Sequence, residues 1–277
     1  SLRKIVLTIL LIAMLLLSCL AGILLVSTNQ NRNLVNQYVS ETVELYVSQL
    51  QKEMDVMRVE LINILESNEA TNELPDYFNS GSSKAIQILK KISEQLRIQA
   101  IWHDSVYGYY EYIGTSNALI TSTGTKFSKS VKASTEHFLM VYLSANMTRR
   151  QNSLYHEFIK IEDQMYLLTW YMKGQKIAGN LIPLQRIFED LENCTKGYTI
   201  LPYIYDTDNE DNIFPQNVSE EEIKDFEQGT VKQANVYRYA ISGLGDLCIY
   251  VVPGNGVIQA ANRWEVVLIM MLVICML

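Results

Sequence analysis

The chain has 277 residues, 48% hydrophobic and 19% charged, with a net charge of −7 at pH 7. That composition belongs to a folded protein and speaks against disorder or low complexity. The acidic balance argues against a nucleic-acid-binding domain, which would carry a basic stripe. The length suits one large or two small domains beside membrane segments.

Residues 5–26 carry no charge and only Thr8, Ser18 and Gly22 dilute the apolar run. A membrane-spanning helix needs about 20 such residues. Arg3 and Lys4 precede it with no acidic residue nearby, so the positive-inside tendency predicts a cytoplasmic tip and an extracellular 29–261. The apolar core is longer than that of a cleaved leader, and no small-x-small site follows it. After the polar collar 27–33, apolar residues recur at Val35, Val39, Val43, Tyr46, Leu50, Met54, Met57, Leu61 and Ile64. Those steps average close to the helical period. Neither Gly nor Pro occurs between Ile23 and Leu74. The pattern predicts one rod of about 60 residues, roughly 90 Å long.

A loop follows at 67–83, then a second helix at 83–99 with Ala85, Leu89, Ile92 and Leu96 on one face, suited to pack antiparallel to the top of the stalk. The texture changes at 106–113, which is dense in aromatic and β-branched residues and pairs with 118–121 across a short polar loop. A polar loop at 122–134 leads to a helix at 136–145. Three strands then follow, at 155–161, 165–172 and 176–181, joined by connections tight enough for antiparallel neighbours. Pro183 opens a short helix to about Leu191.

A smaller unit follows: a strand at 198–205, an acidic turn at 206–211, and a helix starting at Ser219 with Glu222 as its capping box. A hairpin spans 236–241 and 246–252. Residues 266–277 read as the first half of a second span, with Trp264 at headgroup level. The predicted class is α+β: a transmembrane-plus-stalk helix, a membrane-distal antiparallel sheet with helices, a smaller membrane-proximal subdomain and a truncated second span. The expected divisions are 1–28, 29–80, 81–193, 194–261 and 262–277.

The segment from Gln164-Met165-Tyr166-Leu167-Leu168 through Ala178-Gly179-Asn180-Leu181-Ile182-Pro183-Leu184 resembles the sheet hairpin and following helix of a distal sensor module. Cys248-Ile249-Tyr250-Val251-Val252-Pro253 resembles a proximal strand feeding a second span. Together with the element order, these residues resemble the double-Cache, PAS-like sensors of bacterial two-span receptors, most of all Gram-positive-type sensor histidine kinases. The resemblance implies an extracellular sensing region whose output, a histidine kinase of a two-component system, lies beyond Leu277. The same module on a transcription regulator, a cyclic-dinucleotide enzyme or a chemoreceptor is the alternative output. A structural or adhesive surface protein is the alternative of another class. The family's amino-acid-binding pattern of Tyr, Arg, Trp and Asp has no matching positions here.

No catalytic signature occurs, and no cofactor is expected. His103, His137 and His156 are scattered, without a metal-ligand spacing. The turn 206–211 lacks the glycine and the terminal glutamate of an EF-hand loop and reads as solvated. Cys194 and Cys248 form one disulfide in an oxidising compartment or remain two free thiols. The ligand-binding candidates are aromatic residues around one carboxylate: Trp102, Tyr107, Tyr109, Glu111, Tyr166 and Trp170. Strand alternation places Tyr107, Tyr109 and Glu111 on one face, and Tyr166, Leu168 and Trp170 on one face of a second strand. Such walls suit a small organic molecule; plain sheet core is the alternative. The expected partners are a small-molecule ligand, the membrane, and a second copy of the chain in a parallel homodimer along the stalk, without nucleic acid.

Overall fold

The computed structural model describes residues 2–67, 74, 83–103, 106–123, 129–195, 200–216, 218, 219, 221, 223, 224 and 236–251, with only some side chains of 2–36 and none of 129–131. Helix α1 runs unbroken over Leu2–Ser67. Its buried residues Val39, Val43, Leu50, Met54, Met57, Leu61 and Ile64 form the stripe that the periodicity predicts. Among the described residues, no helix is long and apolar enough to cross a membrane. The first expected span, 5–26, lies within α1, with most of its side chains outside the described residues; the second, within 266–277, lies wholly outside them.

Helix α2 (Ser83–Trp102) lies antiparallel to the upper part of α1, with His103 beside Glu53 and Glu60 and Gln99 beside Glu60. The distal sheet holds β1 (Gly108–Ile113), β2 (Ala118–Thr123), β3 (Ser153–Ile161), β4 (Gln164–Lys173) and β5 (Lys176–Pro183). Its order is β2-β1-β5-β4-β3, antiparallel throughout. The meander β3–β4–β5 turns tightly, and the earlier β1–β2 hairpin docks on its far edge. Helix α3 (Lys129–Asn146) starts seven residues before the expected 136. The polar stretch continues the helix because Thr135 turns inward in line with Leu139 and Leu143, at four-residue steps.

After Pro183, α4 (Leu184–Cys194) buries Leu184, Ile187, Phe188 and Leu191. The proximal sheet, ordered β7-β6-β9-β8, comprises β6 (Ile200–Asp206), β7 (Asp211–Ile213), β8 (Val236–Ile241) and β9 (Gly245–Val251). The three-residue β7 is too short to show alternation in sequence. The expected helix after Ser219 is described only in part: Ile223 N donates to Ser219 O at 3.1 Å, and Glu222 lies outside the described residues. Cys194 and Cys248 are both free, the first exposed and the second buried in β9.

Two apolar cores flank the distal sheet. One joins its first face to α1, α2, α4 and the proximal sheet, running from Val39 and Val43 through Leu61 to Ile241, Leu244, Leu247 and Ile249. The other joins the opposite face to α3, around Trp170, Tyr110, Leu139 and Leu143. Helix α1 therefore serves both sheets.

Candidate functional site

Directly opposed residues on antiparallel strands share a face, and the register of the distal sheet sets up two rows. On the α3 face lie Thr121, Tyr110, Gly179, Trp170 and Tyr155, one from each strand. One residue along, on the α1 face, lie Ser122, Tyr109, Asn180, Thr169 and His156. The first row is largely aromatic and the second is polar.

Gly179 makes the aromatic row possible. A Cβ there would run into the Tyr110 hydroxyl and lie 2.6 Å from the Thr169 carbonyl oxygen. Without it, the Tyr110 phenol lies across β5 towards Trp170. Trp170 is 0% exposed and stacks on Tyr155 with centroids 4.2 Å apart. The Arg149 guanidinium sits 5.3 Å from the Tyr155 centroid and 5.6 Å from that of Trp170, and pairs with Glu157. Beneath this polar cover, the Tyr110 hydroxyl and Trp170 Nε1 are both buried without a hydrogen-bond partner among the described residues. Burial pushes the Tyr110 phenol far above its usual range and raises the Glu157 carboxyl. Tyr110 therefore stays a neutral donor. The site offers two orphaned donors and a guanidinium, which is recognition chemistry for a ligand that brings acceptors.

The polar row ends in contacts to helix α1. The Tyr109 hydroxyl donates to Glu60 Oε2 at 3.2 Å, and His103 Nε2 lies 2.8 Å from the same oxygen. The hydrogen bond to Glu53, and Glu60 beside it, raise the His103 pKa against the lowering effect of burial. At the other end, His156 Nδ1 pairs with Thr169 Oγ1 at 3.1 Å. Its ring packs against Gly243, where a Cβ would come within 2.7 Å. Burial first, and Arg58 second, push His156 down to about 4, so it is neutral at pH 7. The Gly243 turn is itself tied to α1: Ser242 N donates to Gln51 Oε1 at 2.8 Å, and Arg58 Nη2 donates to Ser242 Oγ at 3.1 Å.

The six candidate residues fall in three places. Tyr107, Tyr166 and Trp170 are on the α3 face, with Tyr107 and Tyr166 edge to face at 5.7 Å. Tyr109 is on the α1 face. Glu111 shares that face, two residues along β1, opposite Ala178. Trp102 is 76% exposed at the end of α2, on a crevice of 450 Å³ that also holds Lys52, Glu53, His103, Arg186 and Asp190. Tyr107 thus departs from the expected face of Tyr109 and Glu111. The strand starts at Gly108, and Tyr107 occupies a bend where the two-residue alternation does not hold. Tyr166, Leu168 and Trp170 do share one face.

No protein-family model matches the chain, and no curated protein matches it. Several solved structures are similar to it. One is the ligand-binding domain of the Campylobacter jejuni chemoreceptor Tlp3 in complex with 4-methylisoleucine: 12% identity, TM-score 0.41, 83% of this chain and 92% of that one. Another is the Vibrio cholerae LuxQ periplasmic domain: 10% identity, TM-score 0.32, 80% of this chain and 97% of that one. A third is methyl-accepting chemotaxis protein X: 10% identity, TM-score 0.39, 80% and 98%. The side chains, rather than these likenesses, carry the assignment of function.

Glu111 is a separate feature. It is 0% exposed, neither carboxylate oxygen has a hydrogen-bond partner among the described residues, and burial pushes its pKa up to about 7 against the opposing charge of Lys176. Asn180, also 0% exposed and on the same face, lies opposite Tyr109. Reading single strands picks out Trp170 but passes over Tyr110, Tyr155, Arg149 and Glu157. One signal was available: a glycine inside the strand 176–181 marks a place where another group comes close.

Proposed function

We propose that the chain outside the first apolar run is the extracellular sensing region of a membrane receptor, taking a small solute at the aromatic row of the distal sheet. The observation that carries this reading is the pair of buried, unpartnered donors, Tyr110 Oη and Trp170 Nε1, under the Arg149–Glu157 pair. Leaving such groups unpaired costs about 1–3 kcal/mol each. A solute with carboxylate or other acceptor groups offsets that cost by opening the Arg149–Glu157 pair and bonding Tyr110, Trp170 and Arg149. Tyr107 and Tyr166 extend the same wall.

The polar row supports a route to the membrane. Neighbouring residues in β1 and β4 point to opposite faces, so a shift of Tyr110 or Trp170 moves Tyr109 or Thr169 with it. Tyr109 meets α1 at Glu60, while Thr169 meets His156 and, through the Gly243 turn, Gln51 and Arg58. A ligand drives this only by binding one arrangement of sheet and helix better than the other. The receptor reading includes two spans, a histidine-kinase output and a homodimer along α1. Exposed Leu45, Val56 and Val59 on α1, with Ile98, Ile101 and Trp102 on α2, provide apolar surface for a second copy.

The test is the thermal stability of the full chain in detergent against amino acids, organic acids, amines and sugars. A ligand at a hundredfold excess over its Kd raises stability by about 2.7 kcal/mol. A carboxylate hit lost in both Tyr110→Phe and Trp170→Phe supports the site. A blank across the library, or a hit indifferent to both variants, overturns it.

A further inference from the structure

A second concavity adjoins the outer end of the aromatic row at Tyr155 and lies between the two sheets. It measures 680 Å³ and is lined by residues 154–158 and Leu167 of the distal sheet, by the turn 206–209 and by Gly243–Gly245 of the proximal sheet. Strand β3 is the outer strand of the distal sheet, paired with β4 alone among the described residues. Successive side chains of a strand point to opposite faces. Leu154, His156 and Phe158 come from one face of β3, Tyr155 and Glu157 from the other, yet all five line this cleft. The cleft is therefore open to the edge of the strand, where backbone N–H and C=O groups have no neighbouring strand.

Unprotected edges are a liability that proteins blunt with lysine, proline or a covering element. Residues 154–158 contain no Lys, Pro or Gly; the strand's lysine, Lys160, comes only after them. Here the turns 206–209 and 243–245 wall the edge, which leaves room for one added strand and hinders open-ended pairing. The walls also set the sign of the partner. Glu157, Asp206 and Asp208 line the cleft with no Lys or Arg, and Glu210 and Asp211 continue the acidic turn. Asp206 is engaged in its own turn, accepting from the Asp208 and Asn209 amides, and Glu157 pairs with Arg149, which leaves Asp208 exposed.

We propose that this cleft takes an extended, lysine- or arginine-bearing peptide segment as an added strand on β3, a peptide input beside the solute site that shares Tyr155 and Glu157 with it. Main-chain hydrogen bonds to residues 154–158 supply affinity, and the acidic turn supplies preference for basic side chains. Five residues of strand span about 17 Å, so the recognised segment is short. Occupancy also bears on coupling, because His156 and Gly243, a contact between the two sheets, lie in the wall.

The test uses the full chain in a non-ionic detergent and a fluorescein-labelled Lys-Thr-Lys-Thr-Lys-Thr peptide, followed by anisotropy. Three comparisons accompany it: the same peptide N-methylated at every residue, since only alternate N–H groups face β3, Glu-Thr-Glu-Thr-Glu-Thr, and spermidine as competitor. The expected result is saturable binding of the lysine peptide and none of the glutamate peptide. Losing two ladder hydrogen bonds weakens the N-methylated form about tenfold or more. The variant Asp208→Lys also weakens binding. No binding of the lysine peptide overturns the proposal. Equal binding of the N-methylated form overturns it too, since charge alone then suffices. Full displacement by spermidine at its own low Kd assigns the cleft to small organic cations instead.

Discussion

Tyr109 and Tyr110 are adjacent in β1, and their hydroxyls serve opposite sides of the sheet. Tyr109 donates to Glu60 of the long helix, whereas Tyr110 lies over Gly179 with its hydroxyl unpartnered. A displacement of a single strand therefore reaches both the aromatic row and helix α1.

The Tyr110 hydroxyl separates a binding site from a packed core. Tyr110→Phe keeps the ring and removes an unpaired buried group, so stability is expected to stay level or rise by up to about 1 kcal/mol. The ligand-induced rise in Tm is expected to disappear. Thermal unfolding of wild type and variant, each with and without the hit compound, reads both quantities.

Gly179→Ala is expected to be costly although it adds one methyl group. The new Cβ meets the Tyr110 hydroxyl and the Thr169 backbone oxygen, and backbone does not yield readily. A loss of about 2–3 kcal/mol is expected in urea unfolding. The double variant with Tyr110→Leu should recover only part of it, because the Thr169 contact remains. Full recovery would show that the side chain alone sets the constraint.

Tyr109→Phe removes the hydrogen bond to Glu60 while leaving the aromatic row in place. A cost of about 1 kcal/mol is expected, with ligand affinity nearly unchanged. Ligand-dependent changes in amide exchange along 53–64 of α1 should shrink. If those changes persist undiminished, the route to the helix runs elsewhere.

Two buried groups give opposite pH slopes. Glu111 is raised to about 7 in the folded chain from an ordinary 4.5, so the folded state holds the extra proton. Its contribution is present below about pH 4.5 and is lost as pH rises through about 7, by roughly 3 kcal/mol at most. Glu111→Gln should flatten that decline. His156 is lowered to about 4 from 6.5, so the unfolded state takes the proton first. Its contribution is present above 6.5 and is lost as pH falls towards 4. Urea unfolding from pH 4 to 8 for wild type, Glu111→Gln and His156→Asn resolves the two limbs.

Much of the secondary structure was legible because it rests on local periodicity. The stripe from Val39 to Ile64 needs only a 3.6-residue repeat and an absence of Gly and Pro, and α1 follows it. The five distal strands show as aromatic and β-branched runs between tight turns. The side-sharing of Tyr166, Leu168 and Trp170 follows from alternation within a single strand. Where local rules end, the reading slipped. Tyr107 sits in a bend just before its strand, and the start of α3 is polar in sequence although Thr135 faces inward.

By itself the sequence determined the α+β class, the long helix, two successive sheets and the aromatic strands. All of these arise from interactions between residues close along the chain. Only the tertiary structure decided which strands are neighbours and in what register. The placing of β1 against β5 brings Tyr110 over Gly179 and aligns it with Trp170 and Tyr155. The same pairing puts Tyr109 and Glu111 on the opposite face, while β3, paired with β4, has its edge towards the acidic turn. Register is a property of long-range pairing, and a shift of one residue would exchange the two faces of the sheet.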